Sequence, residues 1–518
     1  MTENSAFARS ASPSGAPAAV DAPVARTEKK RKVRRILVLG GGYIGLYTAL
    51  GLRKEMGRDE VEIAVVDPRS YMTYQPFLPE AAAGSLEPRH VVTPHRRELR
   101  GCTLISGRVT EIKHAERKVV VTPVAEETPY ELSYDELVIG LGSVARTLPI
   151  PGLAEQAIGF KWIEEATALR NRVLGQMDAA ASTWDPDHRR RMLTFVFVGG
   201  GFAGIEALAE IEDMARSATK SYDSIAPSDL RFVLVEGAGR ILPELGDELG
   251  GYALEQLRAR GIEIKLNTFL NSCVDGVIEL SSGESFEADT LVWTAGVKAN
   301  PVLGNSDLPL DKAGRVRTSA TMQVTGDDGI VPGAWAAGDC AAVPDLAVGG
   351  DATCAPTAQH AVRQAKHLAK NLVRAVRGEE PTNYEHKNLG TVASLGLGKG
   401  VAQIFGIKFR GPLAWFMHRS YHMWAMPTFN RKVRIVLDWT TAMFFRRELV
   451  ALGSMHSPRA SFTEVATPAG KKKDIPADAA GAPTDAPADG PLPDKHDAEA
   501  ASPVPAGDHA AQSGSGQH

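Results

Sequence analysis

Two short stretches carry residue types that could hold a dinucleotide. "LGGGYIG" runs from Leu39 to Gly45, and "VGGGFAG" from Val198 to Gly204. Each is a G-x-G-x-x-G set after an apolar, β-branched run and before an amphipathic stretch, the setting the motif requires. Gly40 and Gly199 permit a tight turn. Gly42 and Gly201 let the backbone approach a pyrophosphate, and Gly45 and Gly204 let a helix pack on its strand. The helix N-terminus then offers free N–H groups and the positive end of its dipole to the phosphates.

The strand after each loop should end in an acid that accepts hydrogen bonds from ribose hydroxyls. "VEIAVVD" ends in Asp67 and "LRFVLVE" in Glu236. The second spacing is longer than the usual ~20 residues; the insert "SATKSYDSIAPSD" reads as a longer connection. Either acid alone could be an ordinary strand-end turn residue, but beside the glycines the ribose role is favoured. A third candidate is Gly338-Asp339 in "GAWAAGDCAAVPD", where a carboxylate at a strand end could hold the ribityl hydroxyls of a flavin. After it, "CAPTAQHAVRQAKHLAKNLVRAVRG" has apolar residues at helical spacing, with Pro356 suited to the first helical position and Gly378 to the end. A helix N-terminus aimed at a flavin's pyrimidine edge would stabilise the negative charge of its reduced form.

The elements needed to position these residues recur. "DELVIGLGSVARTLPIPG" (135–152) and "ADTLVWTAGVKANPVLG" (288–304) are each a strand running into a glycine turn, about a hundred residues after a glycine loop. The expected fold class is α/β, with two Rossmann-like dinucleotide-binding domains, the second inserted in the first, plus a C-terminal amphipathic helical membrane-association region. The expected segments are a disordered arm (1–33), a first domain in two parts (34–150 and 316–400), a second domain (151–315), the C-terminal region (401–455) and a disordered tail (456–518). The arm and tail are poor in aromatic residues and rich in Ala and Pro, so they cannot bury enough apolar surface to offset chain entropy. "KKRKVRR" (29–35) reads as a solvated basic run.

Length and composition agree. At about 150 residues per domain, 518 residues suggest roughly three domains, and 43% hydrophobic residues can fill them. A net charge of −4 argues against nucleic acid as a partner. The four cysteines, Cys102, Cys273, Cys340 and Cys354, form no CxxC pair and no zinc spacing, so no metal is expected. No apolar run approaches the ~20 residues needed to cross a bilayer. Arg34-Arg35 precedes a stretch too glycine-rich for a twin-arginine signal, so no export is inferred.

The ordered set of first glycine loop, second glycine loop, Gly-Asp and "APTAQ" resembles the flavoprotein reductases with two dinucleotide domains. Within them it is similar to the type II NADH:quinone oxidoreductases, over about residues 34–455. "DPRSYMTYQPFLPEAAAGSLEP" and "GKGVAQIFGIKFRGPLAW" add to the likeness. The resemblance implies FAD at Gly40, Gly42, Tyr43, Ile44, Gly45, Asp67, Arg69, Val109, Gly142, Gly338, Asp339 and Gln359. It implies NADH at Gly199, Gly201, Gly204, Glu206, Glu236 and Gly296. Glu206 is carried over as a catalytic residue on the nicotinamide side, an odd physical choice beside a pyrophosphate. Gln359 is carried over as catalytic and quinone-side. The family's second glutamine, four positions on, is here Arg363, with Gln364 following. Arg363 is thus a quinone contact or a plain helix-surface arginine.

The implied reaction is hydride transfer from NADH to FAD, then two electrons to a membrane quinone, menaquinone or ubiquinone, without proton pumping. Alternatives are a sulfide:quinone oxidoreductase, a soluble ferredoxin-type reductase, or a non-enzymatic NADH-responsive redox sensor. A disulfide reductase would need a CxxxxC, which is absent.

"LAWFMHRSYHMWAMPTFNRKVRIVLDW" (413–439) is aromatic and cationic. At helical spacing Leu413, Phe416, Met417, Tyr421 and Trp424 share a face, as do Val433, Val436, Leu437, Thr440 and Phe444. Arg419, Arg431, Lys432, Arg434, Arg446 and Arg447 surround them. That pattern suits an interfacial helix on anionic lipid, although amphipathic helices usually face their own core or a second copy. With the family likeness, the expectation is peripheral attachment at the cytoplasmic face of the cell membrane, a homodimer being left open.

Overall fold

The structure is a computed structural model that describes residues 33–387, 390–445 and 447–452. All of the expected arm but Val33, most of the basic run, the expected tail and Arg446 lie outside the described residues.

The run "RRILVL" forms a strand, Arg34–Leu39, whose residues Ile36 to Leu39 are fully buried. Apolar side chains on both faces demand a central position with helices on each side. The strand pairs in parallel with Val61–Asp67 and with Glu136–Ile139. Gly329–Ala336 joins beyond Glu136–Ile139, also in parallel. Thr103–Lys113 joins beyond Val61–Asp67 and leads into an antiparallel extension. These strands belong to one eight-stranded sheet.

The second glycine loop belongs to a separate five-stranded sheet. Its order is Ala157–Gly159, Thr290–Trp293, Thr194–Val198, Arg231–Val235 and Glu263–Lys265, all parallel. "TFVFV" at its centre is buried at all five positions. The eight-stranded sheet takes strands from before residue 140 and after residue 322, and the second sheet falls between them in the chain. The chain therefore has two Rossmann-like units, the second inserted in the first.

The helix Tyr43–Glu55 packs on the helix Ala358–Val376 through small residues: a Cβ on Gly51 would lie 2.6 Å from the Ala369 methyl. Pro356 is not the first helical residue. The helix starts at Ala358, because the Thr357 hydroxyl caps it by accepting from the His360 N–H at 3.2 Å. An N-cap side chain satisfies an orphan donor, which a proline two residues earlier cannot do.

After residue 390 come three antiparallel strands, Gly390–Ser394, Gly400–Ile404 and Ile407–Arg410. Two helices follow, Gly411–Ala425 and Phe429–Phe444. They rest on the body through few buried residues, chiefly Ala414, His418, Met426 and Ile435. Among the described residues, no helix is long and apolar enough to cross a membrane.

Candidate functional site

The two glycine loops are built alike. Gly40 has φ +92° and Gly199 φ +113°, a region that side chains with a Cβ avoid. A Cβ on Gly45 would lie 1.8 Å from the Gly40 carbonyl oxygen, and one on Gly204 2.0 Å from that of Gly199. Each helix thus sits as close to its strand end as backbone allows. Gly42 and Gly201 face open space, with nothing within 4 Å of a Cβ. No side chain caps either helix, so their first-turn N–H groups stay available to an anion.

Asp67 and Glu236 also act alike. Asp67 accepts from the Gly41 N–H at 2.6 Å and from the Arg69 N–H at 2.7 Å. Glu236 accepts from the Gly200 N–H and from the Ala238 N–H, the latter at 2.7 Å. Each acid clamps the middle glycine of its own loop. A carboxylate has about four lone-pair positions, so both keep acceptor capacity for ribose hydroxyls. The Arg69 guanidinium lies 3.7 Å over the Trp162 ring and pairs with Glu164. His95, which sequence reasoning missed, backs the first loop. It is buried, its Nε2 stands 2.8 Å from the Gly41 carbonyl, and burial pushes its pKa down. The neutral ring donates that hydrogen bond.

The two repeated turns meet. Gly142 (φ +64°) and Gly296 (φ +90°) head the strands Ser143–Ala145 and Val297–Ala299, which pair with each other antiparallel. Beside them lies Asp339, accepting from the Ser143 hydroxyl at 2.6 Å. Lys161 donates to the same hydroxyl at 2.5 Å and lies 3.9 Å from the Asp339 carboxylate. Burial holds the Lys161 pKa below the usual lysine range. A cavity of about 410 Å³ opens here, lined by Ser143, Gly338, Asp339, Cys354 and the strand from Val297. Ile44 fills the angle between Gly140 and Gly338, where a Cβ on either would meet it at 2.8 Å. Tyr43 is next to it; its hydroxyl is buried without a hydrogen-bond partner, and burial pushes its pKa well up. Val109 is a buried strand residue.

On the helix Ala358–Val376, Gln359 stands half-buried in the first turn. Arg363 turns back on its own helix, donating to the Gln359 carbonyl at 3.0 Å. The buried glutamine is Gln364, whose side chain accepts from the Gly338 N–H at 2.8 Å. It clasps the Gly-Asp turn to the helix, a role its position after Arg363 did not reveal.

Glu206 leaves the second loop for the C-terminal segment. It is buried and accepts from the Ser394 N–H at 2.8 Å, while the His418 Nε2 stands 3.1 Å from the same oxygen. The repulsion expected between this carboxylate and a pyrophosphate is thereby relieved. Burial works against the charged form of His418, but the charge and hydrogen bond of Glu206, with Glu80 and Glu210, leave its pKa raised. The His422 ring lies 4.6 Å from that of His418, and burial pushes its pKa well down. Its Nδ1 is 3.3 Å from the Tyr74 hydroxyl. Burial raises the Glu210 pKa to about 7.

Two of the cations expected beside a lipid face point inward instead. Arg419 donates to Glu80 at 2.8 Å, which also accepts from the Trp439 indole at 2.8 Å. Arg447 lies 3.5 Å from Glu210. Glu80 and Glu210 are buried, and a buried carboxylate calls for a counter-charge. The apolar faces, by contrast, are bare: Phe416 is 63% exposed, Trp424 71% and Phe444 77%.

All four cysteines are free. Burial raises the pKa of Cys340 to about 12 and that of Cys354 to about 11, so neither offers the thiolate a dithiol relay needs.

The model of the pyridine nucleotide-disulphide oxidoreductase family matches residues 34–365. The type II NADH:quinone oxidoreductase of Staphylococcus haemolyticus is 31% identical over 392 residues, 74% of this chain and 93% of that protein. The type II NADH:quinone oxidoreductase of Mycobacterium tuberculosis is 28% identical over 436 residues, 81% and 90% of the two chains. The fold is that of NDH2 from Plasmodium falciparum, solved in complex with NADH: TM-score 0.74 at 18% identity, covering 81% of this chain and all of that one. The chain belongs to the pyridine nucleotide-disulphide oxidoreductases and, within them, to the type II NADH:quinone oxidoreductases.

Proposed function

We propose that this protein transfers a hydride from NADH to FAD, and then two electrons to a quinone at a membrane surface, without pumping protons. The observation that carries the reading is the duplicated, acid-clamped glycine loop, with the turns of the two units paired beside Asp339. FAD, when bound, supplies the chemistry of taking a hydride and giving two electrons.

The chain's own residues fit that group. The open faces of Gly42 and Gly142 and the uncapped helix at Tyr43 leave a cradle for a pyrophosphate. Asp67 orients a ribose, and Asp339, held by Ser143, receives ribityl hydroxyls. The second loop and Glu236 take NADH in the same way, with Gly296 at the facing turn. Gln364 fixes the Gly338-Asp339 turn against the helix, and Gln359 stands in the first turn, at the helix's positive end beside the flavin site. Arg363 folds onto its own helix, so we assign it to the helix surface.

Quinone reduction consumes two protons. His418 holds one at Nε2, oriented by Glu206, and Glu210 lies within the same buried group. We therefore assign Glu206 to positioning His418 on the quinone side.

The exposed faces of Gly411–Ala425 and Phe429–Phe444 lie at a membrane surface, flanked by Arg431, Lys432 and Arg434. Each such cation contributes about 1 kcal/mol on anionic lipid, screened by salt; the apolar faces add a part that salt does not weaken. On this reading the enzyme works at the cytoplasmic face, because NADH is found there, with menaquinone or ubiquinone as acceptor. Replacing Phe416, Trp424 and Phe444 by serine tests it. All three are exposed, so the fold and flavin should survive while the protein leaves anionic liposomes. Turnover with a water-soluble acceptor should persist and turnover with long-chain quinone in liposomes should fall. A triple variant that stays on the liposomes refutes the assignment; one that leaves them but elutes as a smaller particle on gel filtration assigns part of the face to a second copy.

A further inference from the structure

The fold brings together three metal-ligating side chains that sequence spacing kept apart. The chain turns back between Val343 and Cys354. The Asp345 N–H donates to the Ala352 carbonyl at 2.8 Å, the Cys354 N–H donates to the Val343 carbonyl at 2.9 Å, and Pro344 bridges Thr353. Asp345 thus stands on one leg of a hairpin and Cys354 on the other. The first turn of the helix Ala358–Val376 brings His360 beside them. One donor atom from each of Asp345, Cys354 and His360 lies within 4.8 Å of the others. Cys354 also lines the Asp339 cavity, yet no step of the reaction uses it or His360.

Two further observations point to a ligand. The Tyr384 hydroxyl meets the His360 Nδ1 at 3.1 Å, which orients the ring, as an outer partner of a ligating histidine does. The His386 ring lies 5.7 Å from that of His360, nearly perpendicular to it, and its Nε2 is buried without a hydrogen-bond partner. A buried unsatisfied ring nitrogen is costly, and a water held on a metal beside it would satisfy it.

We infer that Asp345, Cys354 and His360 form a site for a divalent cation of zinc's character, with His386 beside it. One thiolate, one carboxylate and one neutral imidazole balance two positive charges and supply the sulfur, oxygen and nitrogen donors that zinc takes, and a water completes the tetrahedron. With bonds of about 2.3 Å to sulfur and 2.0 Å to nitrogen or oxygen, donors stand about 3.3–3.5 Å apart, so Asp345, Cys354 and His360 need close by little more than 1 Å. Binding displaces the Cys354 proton to solvent and makes no redox change. Burial opposes an empty thiolate and the positive charge of Arg363 opposes a cation without its thiolate, so metal and deprotonation arrive together. The metal ties the hairpin after Gly338-Asp339 to the first turn of the helix that the turn abuts.

The test uses the full-length flavoprotein, stripped with a chelator and dialysed against zinc chloride, with metal and flavin counted together. One zinc per flavin is expected, with an X-ray absorption shell of one sulfur and three nitrogen or oxygen atoms. Cys354→Ser and Asp345→Asn should each weaken binding tenfold or more, while Cys273→Ser, at a buried thiol of the other unit, should leave it unchanged. Retention of zinc by Cys354→Ser at the wild-type level, or a wild-type shell without sulfur, overturns the site. If the variants lose flavin, the wild-type protein still decides. Zinc should slow alkylation of Cys354, read by mass spectrometry, tenfold or more, and an unchanged rate rejects the site.

Discussion

Glu210→Gln should make the protein's stability less sensitive to pH, and by an amount the structure sets. Glu210 is fully buried. Its Oε1 accepts from the Ser394 hydroxyl at 3.3 Å, and Arg447 stands 3.5 Å from Oε2, a pairing too loose to offset the lost hydration. Burial moves its pKa from 4.5 to about 7. The folded state therefore binds this proton more tightly than the unfolded chain. The stabilisation is complete below about pH 4.5 and is lost as pH rises through about 7. At 1.36 kcal/mol per pKa unit, the loss is about 3 kcal/mol. Glutamine keeps the shape and the acceptor for Ser394 but cannot ionise. Melting temperatures of both proteins, taken from pH 4.5 to 8 at saturating FAD, should diverge: the variant gains on wild type by about 3 °C across that range. Shared titrations cancel in the difference. A difference that is flat with pH, or in which wild type gains as pH rises, would refute the raised pKa.

Gly45→Ala and Gly204→Ala should separate the two nucleotides. Each new methyl would press on a backbone oxygen of its own loop at 2.0 Å or less, so the first variant should purify with little FAD, and the second should keep FAD while its KM for NADH rises at least tenfold. Absorbance ratios and steady-state kinetics check both. Glu236 should repel the 2′-phosphate of NADPH, and Arg240, the nearby cation, is turned to Asp247 at 2.8 Å; kcat/KM should therefore favour NADH, and equal values would remove Glu236 from the ribose site. Asp339→Ala should release FAD on gel filtration while leaving NADH affinity nearly unchanged, because one hydrogen bond to a partly buried hydroxyl is lost, at a cost of about 1–3 kcal/mol. Fluorescence titration and flavin content distinguish the two effects.

What the sequence made legible was local. A glycine loop, its strand and the acid at the next strand end lie within one βαβ unit, so composition and spacing carry them. The same local pattern, repeated, exposed the inserted second unit and the two glycine turns that pair. What it hid lies across the chain. Glu80 meets Arg419 and Trp439, and Glu206 meets Ser394 and His418, across separations of well over a hundred residues that no period records. Helical spacing placed Arg419 beside an aromatic face but could not tell a lipid-side cation from the counter-ion of a buried carboxylate. The start of the helix at Ala358 was masked by Pro356, a good first-turn residue, when the Thr357 hydroxyl was the cap. Gln364 stood next to an arginine where a family pattern pointed, and only the turn at Gly338 shows which side chain is buried. Likewise, no spacing rule joins Asp345, Cys354 and His360, because a hairpin and a helix end bring them together.

The central claim is that this chain couples NADH to a quinone through a flavin, and anaerobic stopped-flow on the purified flavoprotein tests it directly. NADH alone should bleach the flavin in one fast phase. Mixing the reduced protein with quinone in liposomes should restore the oxidised flavin within turnover time, oxidised ferredoxin should have no comparable effect, and sulfide should not bleach the oxidised flavin in place of NADH. A flavin that NADH does not reduce, or a reduced flavin that quinone fails to reoxidise, would contradict the account.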